Sequence, residues 1–94
     1  MNVGFSGKYC KNSDNNMLVI IDGVYFYFSY RTIIAFKIDG KLFIRENDWA
    51  QTTGKHLNAI DCDKSIRIKG EEFEKLLGEM HVKICGELVR RLGA

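Results

Sequence analysis

Between residues 17 and 45 the chain repeats one pattern twice. Met17-Leu-Val-Ile-Ile21 and Val24-Tyr-Phe-Tyr-Phe28 are short β-branched and aromatic runs joined by Asp22-Gly23. Thr32-Ile-Ile-Ala-Phe-Lys-Ile38 and Lys41-Leu-Phe-Ile-Arg45 do the same around Asp39-Gly40. Runs of this length and composition are strands, and Asp-Gly between them is a hairpin signal, so the pattern predicts a four-stranded meander. Ser65-Ile-Arg-Ile-Lys69 alternates as well and predicts a fifth strand with Ile66 and Ile68 inward. The chain has no proline, so none of these strands is demoted on that ground.

The period then changes. Phe73, Leu76, Leu77, Met80, Ile84, Leu88 and Leu92 follow three- and four-residue spacing, which predicts one long helix over 71–92. Glu71, Glu72 and Glu74 at its start and Arg90 and Arg91 at its end match the helix dipole. Gly78 and Gly86 lie inside the pattern at roughly 1 kcal/mol each relative to alanine, which leaves open a break at either. A short helix over 53–60, with Leu57 and Ile60 facing the core, connects sheet and long helix. The predicted fold is α+β: an antiparallel β-meander of four to five strands, a short connecting helix, and a long C-terminal helix packed on one face. Residues 1–94 form one domain. Residues 1–16 are Gly-, Ser- and Asn-rich and predict either a short edge strand, with Phe5 and Tyr9 available to pack, or a mobile segment.

Loop length decides which side chains share a face. A three-residue loop at Asp39-Gly40 collects Ile34, Phe36, Ile38, Leu42 and Ile44 on one face, whereas a two-residue loop mixes charge into it. The hydrophobic pattern therefore favours the longer loop. The same logic at Asp22-Gly23 puts Leu18, Ile20, Phe26 and Phe28 inward. Tyr25, Tyr27, Lys37, Lys41, Phe43 and Arg45 then project together from the second, open face. Aromatic rings interleaved with cations suit single-stranded nucleic acid, and an apolar patch that includes Phe43 suits a protein partner or a second copy. The plain alternative is a solvated face of cross-strand pairs.

Composition narrows the classes. The chain has 94 residues, 46% of them hydrophobic and 28% charged, which fits a compact domain and excludes a disordered one. Its net charge of +2 is too weak for a generic polyanion binder. Residues 31–69 hold eight basic and five acidic side chains, so the positive excess lies mid-chain. The three cysteines, Cys10, Cys62 and Cys85, are odd in number and widely spaced, as in a reducing cytoplasmic compartment. The longest apolar run is the five residues from Met17 to Ile21, against the roughly 20 a membrane-spanning helix needs. No membrane association is expected.

The densest polar segment is Thr52-Thr53-Gly54-Lys55-His56-Leu57-Asn58, followed by Asp61-Cys62-Asp63. It lacks the first glycine of a phosphate loop, and His56 stands where Mg²⁺ needs Ser or Thr. Thr52, Thr53 and Lys55 at a helix start suit a single phosphate, or the threonines simply cap the helix. His56 with Cys62 and Asp61 raises a small Cys/His enzyme as an alternative, against His56 as a structural hydrogen-bonding residue. His81 and Cys85 have helical ligand spacing, but paired zinc-knuckle spacings are absent and a packed cysteine accounts for Cys85. No catalytic residue, metal or cofactor is assigned.

Ser29-Tyr30-Arg31-Thr32-Ile33-Ile34-Ala35, followed by Gly40-Lys41-Leu42-Phe43 and then Trp49-Ala50-Gln51-Thr52-Thr53-Gly54-Lys55-His56-Leu57-Asn58, resembles a pattern found in small uncharacterised proteins. These are encoded by viruses and plasmids of archaea and bacteria. The resemblance covers about residues 29–58, with a weaker match at Gly70-Glu-Glu-Phe-Glu-Lys-Leu. It implies a mobile-element origin and draws attention to Tyr30, Thr32, Thr53, Lys55, His56 and Asn58. His56 and Asn58 are candidates to tie the short helix to the Ser29-Tyr30 bend. The expected function is an accessory protein, not an enzyme, that binds a host protein or its own copy through the open face and the 52–58 segment. Single-stranded nucleic-acid binding on that face is the alternative.

Overall fold

The computed structural model describes residues 3–48 and 51–79. Five antiparallel strands lie in chain order: β1 (Val3–Gly7), β2 (Asn16–Ile21), β3 (Val24–Ser29), β4 (Thr32–Ile38) and β5 (Lys41–Ile44). Helix α1 (Gln51–Ile60) follows, then a 3₁₀ turn (Lys64–Ile66) and a second helix, α2, over residues 70–79. The α+β meander with a short connecting helix and a C-terminal helix on one face is therefore present. α2 runs through Gly78 without a break. The predicted helix beyond residue 79, with His81, Cys85 and Gly86, lies outside the described residues, as do Trp49 and Ala50. Among the described residues, no helix is long and apolar enough to cross a membrane.

The turns correct the expected register. Ile21 pairs with Val24 and Ile38 with Lys41, so both Asp-Gly loops hold two residues. Asp22 (φ 48°) and Gly23 (φ 81°), like Asp39 (φ 51°) and Gly40 (φ 77°), are all left-handed, the conformation of a type I′ turn whose twist matches the strands. Gly40→Ala should cost about 1 kcal/mol, read as a lower urea midpoint. The loss comes from the backbone alone, because a Cβ there meets nothing within 4 Å.

The longer loop suits a sheet with a single buried face, and this sheet buries both. On one face Val24, Phe26, Phe36 and Phe73 of α2 form a core, with Ile21, Phe28, Ile33, Ile38, Phe43, Leu76 and Leu77 around it. Phe36 stacks on its cross-strand partner Phe43 at 4.8 Å. On the other face Ile34, Ala35 and Ile44 pack under Leu57 of α1, flanked by Tyr27, Leu42 and Ile60. A bulge opposite Tyr27 and Phe28 makes the switch possible: Tyr27 pairs with Ala35 and Phe28 with Ile33, leaving Ile34 as the extra residue. Ile34, Ala35 and Phe36 are consequently buried in succession.

The fifth strand is also relocated. β1 pairs with β2, placing Phe5 beside Val19. Residues 65–69 form no strand. Asp63 accepts hydrogen bonds from the Ser65 N–H and hydroxyl and so starts the 3₁₀ turn, and only Ile68 reaches the sheet, as an isolated parallel bridge to Arg45. Arg45 anchors α2 to the end of β5. Its guanidinium lies over the Phe73 ring and bonds Glu74 (2.7 Å) and Asp48 (2.9 Å), while Gly70 leaves no room there for a side chain.

Candidate functional site

The six residues expected on one open face are divided between two covered ones. Tyr25, Tyr27 and Lys37 lie on the α1 side, where Tyr25 and Lys37 are cross-strand partners. Lys41, Phe43 and Arg45 lie on the α2 side. The two-residue turns cause the division, because a one-residue slip moves a strand's side chains to the opposite face. Lys41 sits over the Phe43 ring at 5.3 Å, and Arg45 is 6% exposed and ion-paired, so neither forms a shared surface with Tyr25.

A different grouping is drawn together around His56. Thr53, His56 and Leu57 form the buried face of α1, and the sheet beneath them ends at the two-residue bend Tyr30-Arg31 between β3 and β4. His56 is fully buried. Its Nε2 lies 3.1 Å from the Asp14 carbonyl and 2.9 Å from the Ser13 hydroxyl, and its Nδ1 lies 2.7 Å from the Ser29 hydroxyl. A carbonyl oxygen only accepts, so Nε2 carries the proton and Nδ1 accepts from Ser29. The Ser29 oxygen in turn accepts from Thr53 at 3.3 Å. Burial pulls the imidazole below its ordinary pKa, with the Asp14 carbonyl acting in the other direction. A neutral ring in this tautomer satisfies every contact.

The loop over 8–15 is shaped for this contact. Asn16 accepts from the Cys10 N–H and donates to the Cys10 and Ser13 carbonyls. That closes the loop over α1 and turns Ser13 and Asp14 toward the ring. The Tyr9 hydroxyl donates to the Phe28 carbonyl (2.8 Å), and its ring meets Tyr27 edge-on at 5.3 Å. The Tyr30 N–H donates to the Asn15 carbonyl (2.7 Å), locking the bend to the loop. The sequence points to Tyr9 only as a packing residue and to Ser29 only as part of the bend, and gives no sign of Ser13, Asp14 or Asn16. The contacts of this loop with His56 span up to 43 residues, and a polar Asn- and Ser-rich run carries no periodicity that would show them.

His56 therefore ties the short helix to the Ser29-Tyr30 bend, as anticipated. Asn58 does not: its side chain accepts from Arg67 (2.7 Å). Thr52 is half-buried and Lys55 exposed, on the helix surface. Thr53 is not a cap, because its hydroxyl faces Ser29 within the first turn. His56 and Cys62 do not form a pair: both ring nitrogens are engaged elsewhere, and Cys62 is exposed beyond the end of α1. Among the described residues, no three His, Cys, Asp or Glu side chains are placed to hold a metal ion. Beside the cluster lies a cavity of about 220 Å³ lined by Ser29, Tyr30, Thr32, Ile34 and Thr53.

The Ser-Tyr-x-Thr and Thr-Thr-x-Lys-His segments, apart in sequence, thus meet at one place. No curated protein and no solved structure matches the chain. A family model does match it, over residues 2–75, and that span takes in every strand, α1 and the whole His56 cluster. The chain belongs to DUF8033, a family of unknown function.

Proposed function

We propose that this chain is a protein-binding module whose interface is the free edge of β1, and that its partner is a second copy. The observation that carries the reading is the difference between the two sheet edges. The β5 edge is closed by the chain itself: the Ile68 N–H donates to the Ile44 carbonyl and the Ile68 carbonyl accepts from Glu46, both at 2.8 Å. Among the described residues β1 pairs only with β2, so the backbone groups of its other side are a template for another strand. Edges of this kind are guarded by charge, proline or bulges; Val-Gly-Phe-Ser-Gly has neither charge nor proline, and its bulge, between Phe5 and Gly7, leaves residues 3–5 regular. Lys8, which follows, is drawn back onto Asp14 at 2.6 Å.

Phe5 and Val3 are 71% and 54% exposed and share the α2 side of the sheet, where an added strand would cover them. Antiparallel pairing of β1 with its own copy about a two-fold axis satisfies the same edge twice. The interface thus moves from the open face expected from sequence to the edge. We read the protein further as a viral or mobile-element accessory protein of the host cytoplasm. The resemblance over residues 29–58 and the odd, widely spaced cysteines support this.

Light scattering on the eluting protein tests the reading. The expected mass is twice the 10.8 kDa of one chain. Phe5→Lys, which puts a charge on an exposed edge position, should give the single-chain mass with an unchanged circular dichroism spectrum. A wild-type chain that remains single at micromolar concentration overturns the self-pairing.

A further inference from the structure

The β3–β4 bend breaks the turn chemistry that the rest of the sheet obeys. The Asp22-Gly23 and Asp39-Gly40 hairpins place Asp and Gly at their left-handed positions. At the corresponding position of the β3–β4 bend stands Tyr30, with φ 56°. An aromatic residue is among the least suited to that conformation, which Gly or Asn adopts readily. Core packing explains the choice only in part: the ring tilts against His56 at 6.3 Å between centroids, yet Tyr30 stays 55% exposed. A strained residue whose side chain stays largely exposed is where a local rule gives way to function.

That ring stands at the cavity beside the His56 cluster. Among the described residues that line it, Ser29, Tyr30, Thr32 and Thr53 carry hydroxyls, Ile34 is apolar, and none is charged. The volume of about 220 Å³ is small for a drug-sized ligand but exceeds the roughly 150 Å³ that admits benzene, so it takes one six-membered ring with its substituents. Thr53 already donates to Ser29, so its oxygen is left to accept, while Thr32 can donate or accept, and the two match a ring edge where a donor and an acceptor adjoin. A neutral lining disfavours a bare phosphate or carboxylate inside. Arg31, exposed and next to Tyr30 in the same bend, supplies a cation outside it.

We propose that this cavity binds a single unpaired pyrimidine base, which stacks on Tyr30 and is read at its edge by the hydroxyls of Thr32 and Thr53. Ser29 is a positioning residue, its hydroxyl held by His56. The site is separate from the β1 edge and does not depend on dimerisation. The base comes either from a single-stranded nucleic acid, with Arg31 at the flanking phosphate, or from a free nucleoside.

Two probes distinguish these sources: fluorescein-labelled ten-nucleotide thymidine and adenosine DNA strands followed by anisotropy, and free uridine followed by amide chemical shifts. Binding of the thymidine strand about tenfold tighter than the adenosine strand identifies the polymer. Uridine shifts at Tyr30, Thr32 and Thr53 without strand binding identify the nucleoside. Tyr30→Gly is the decisive variant, because it relieves the backbone strain while removing the ring. It should fold at least as well and bind at least tenfold more weakly, whereas Tyr30→Phe should retain binding. Thr32→Val should also weaken binding. The proposal is overturned if neither probe binds, if the two strands bind equally, or if Tyr30→Gly and Thr32→Val bind like wild type.

Discussion

Phe73→Ala should destabilise the protein by about 3–5 kcal/mol, read as a fall in the urea midpoint at unchanged slope. Phe73 is fully buried, 5.6 Å from Phe36 between ring centroids and 5.6 Å from the Arg45 guanidinium. Truncation leaves a cavity between α2 and the central strands that neither a stacked aromatic pair nor an ion-paired arginine can collapse to fill. A domain of this size is stable by roughly 5–15 kcal/mol, so one side chain carries a large share of the total. Phe73→Leu, which keeps most of the volume, should cost only about 1–1.5 kcal/mol. A loss below about 1 kcal/mol from Phe73→Ala would mean that α2 contributes little to folding.

His56→Ala should cost about 3 kcal/mol and lower the melting temperature by about 10–25 °C. The imidazole links three segments through Asp14, Ser13 and Ser29, and its removal leaves those polar groups facing a buried gap. The same geometry predicts a pH dependence. Burial depresses the folded-state pKa, so the unfolded chain binds the proton more readily. Stability should be full above the unfolded value of about 6.5 and decline as the pH falls from there through the folded value. Of the groups around the ring, burial pushes the Tyr9 hydroxyl further up, away from that window, and the Ser13 and Ser29 hydroxyls carry no charge in it. His56→Gln should remove this part of the slope. A wild-type slope that survives in His56→Gln contradicts the neutral, doubly bonded ring.

What the sequence reveals here depends on the range of the interaction. The two hairpins are legible because Asp-Gly and the adjoining β-branched runs are local signals. α1 and the start of α2 are legible from spacing, as Leu57, Phe73, Leu76 and Leu77 show. Register is not local in this protein: Phe36 and Ile44 look like members of one apolar face until α1 and α2 are known to cover opposite sides. The bulge at Ile34 hides the alternation further. β1 is masked by its glycines, since its strand character comes from pairing Phe5 with Val19 across a polar loop. At Ser65-Ile-Arg-Ile-Lys69 a local Asp63 cap prevails over an alternating pattern. The Ser-Tyr-x-Thr and Thr-Thr-x-Lys-His strings are visible as strings. Their meeting at one cavity, and the part of Ser13 and Asp14 in it, arise only when the loop over 8–15 closes on His56.

Amide hydrogen exchange along β1 tests the proposed interface most directly. In an edge strand the N–H groups alternate between the partner strand and solvent. If β1 pairs with its own copy, successive amides over residues 3–5, before the bulge, are all protected in the wild type. In Phe5→Lys the alternating pattern returns. Fast exchange at every second amide of the wild type, at concentrations where a dimer should form, would contradict the account.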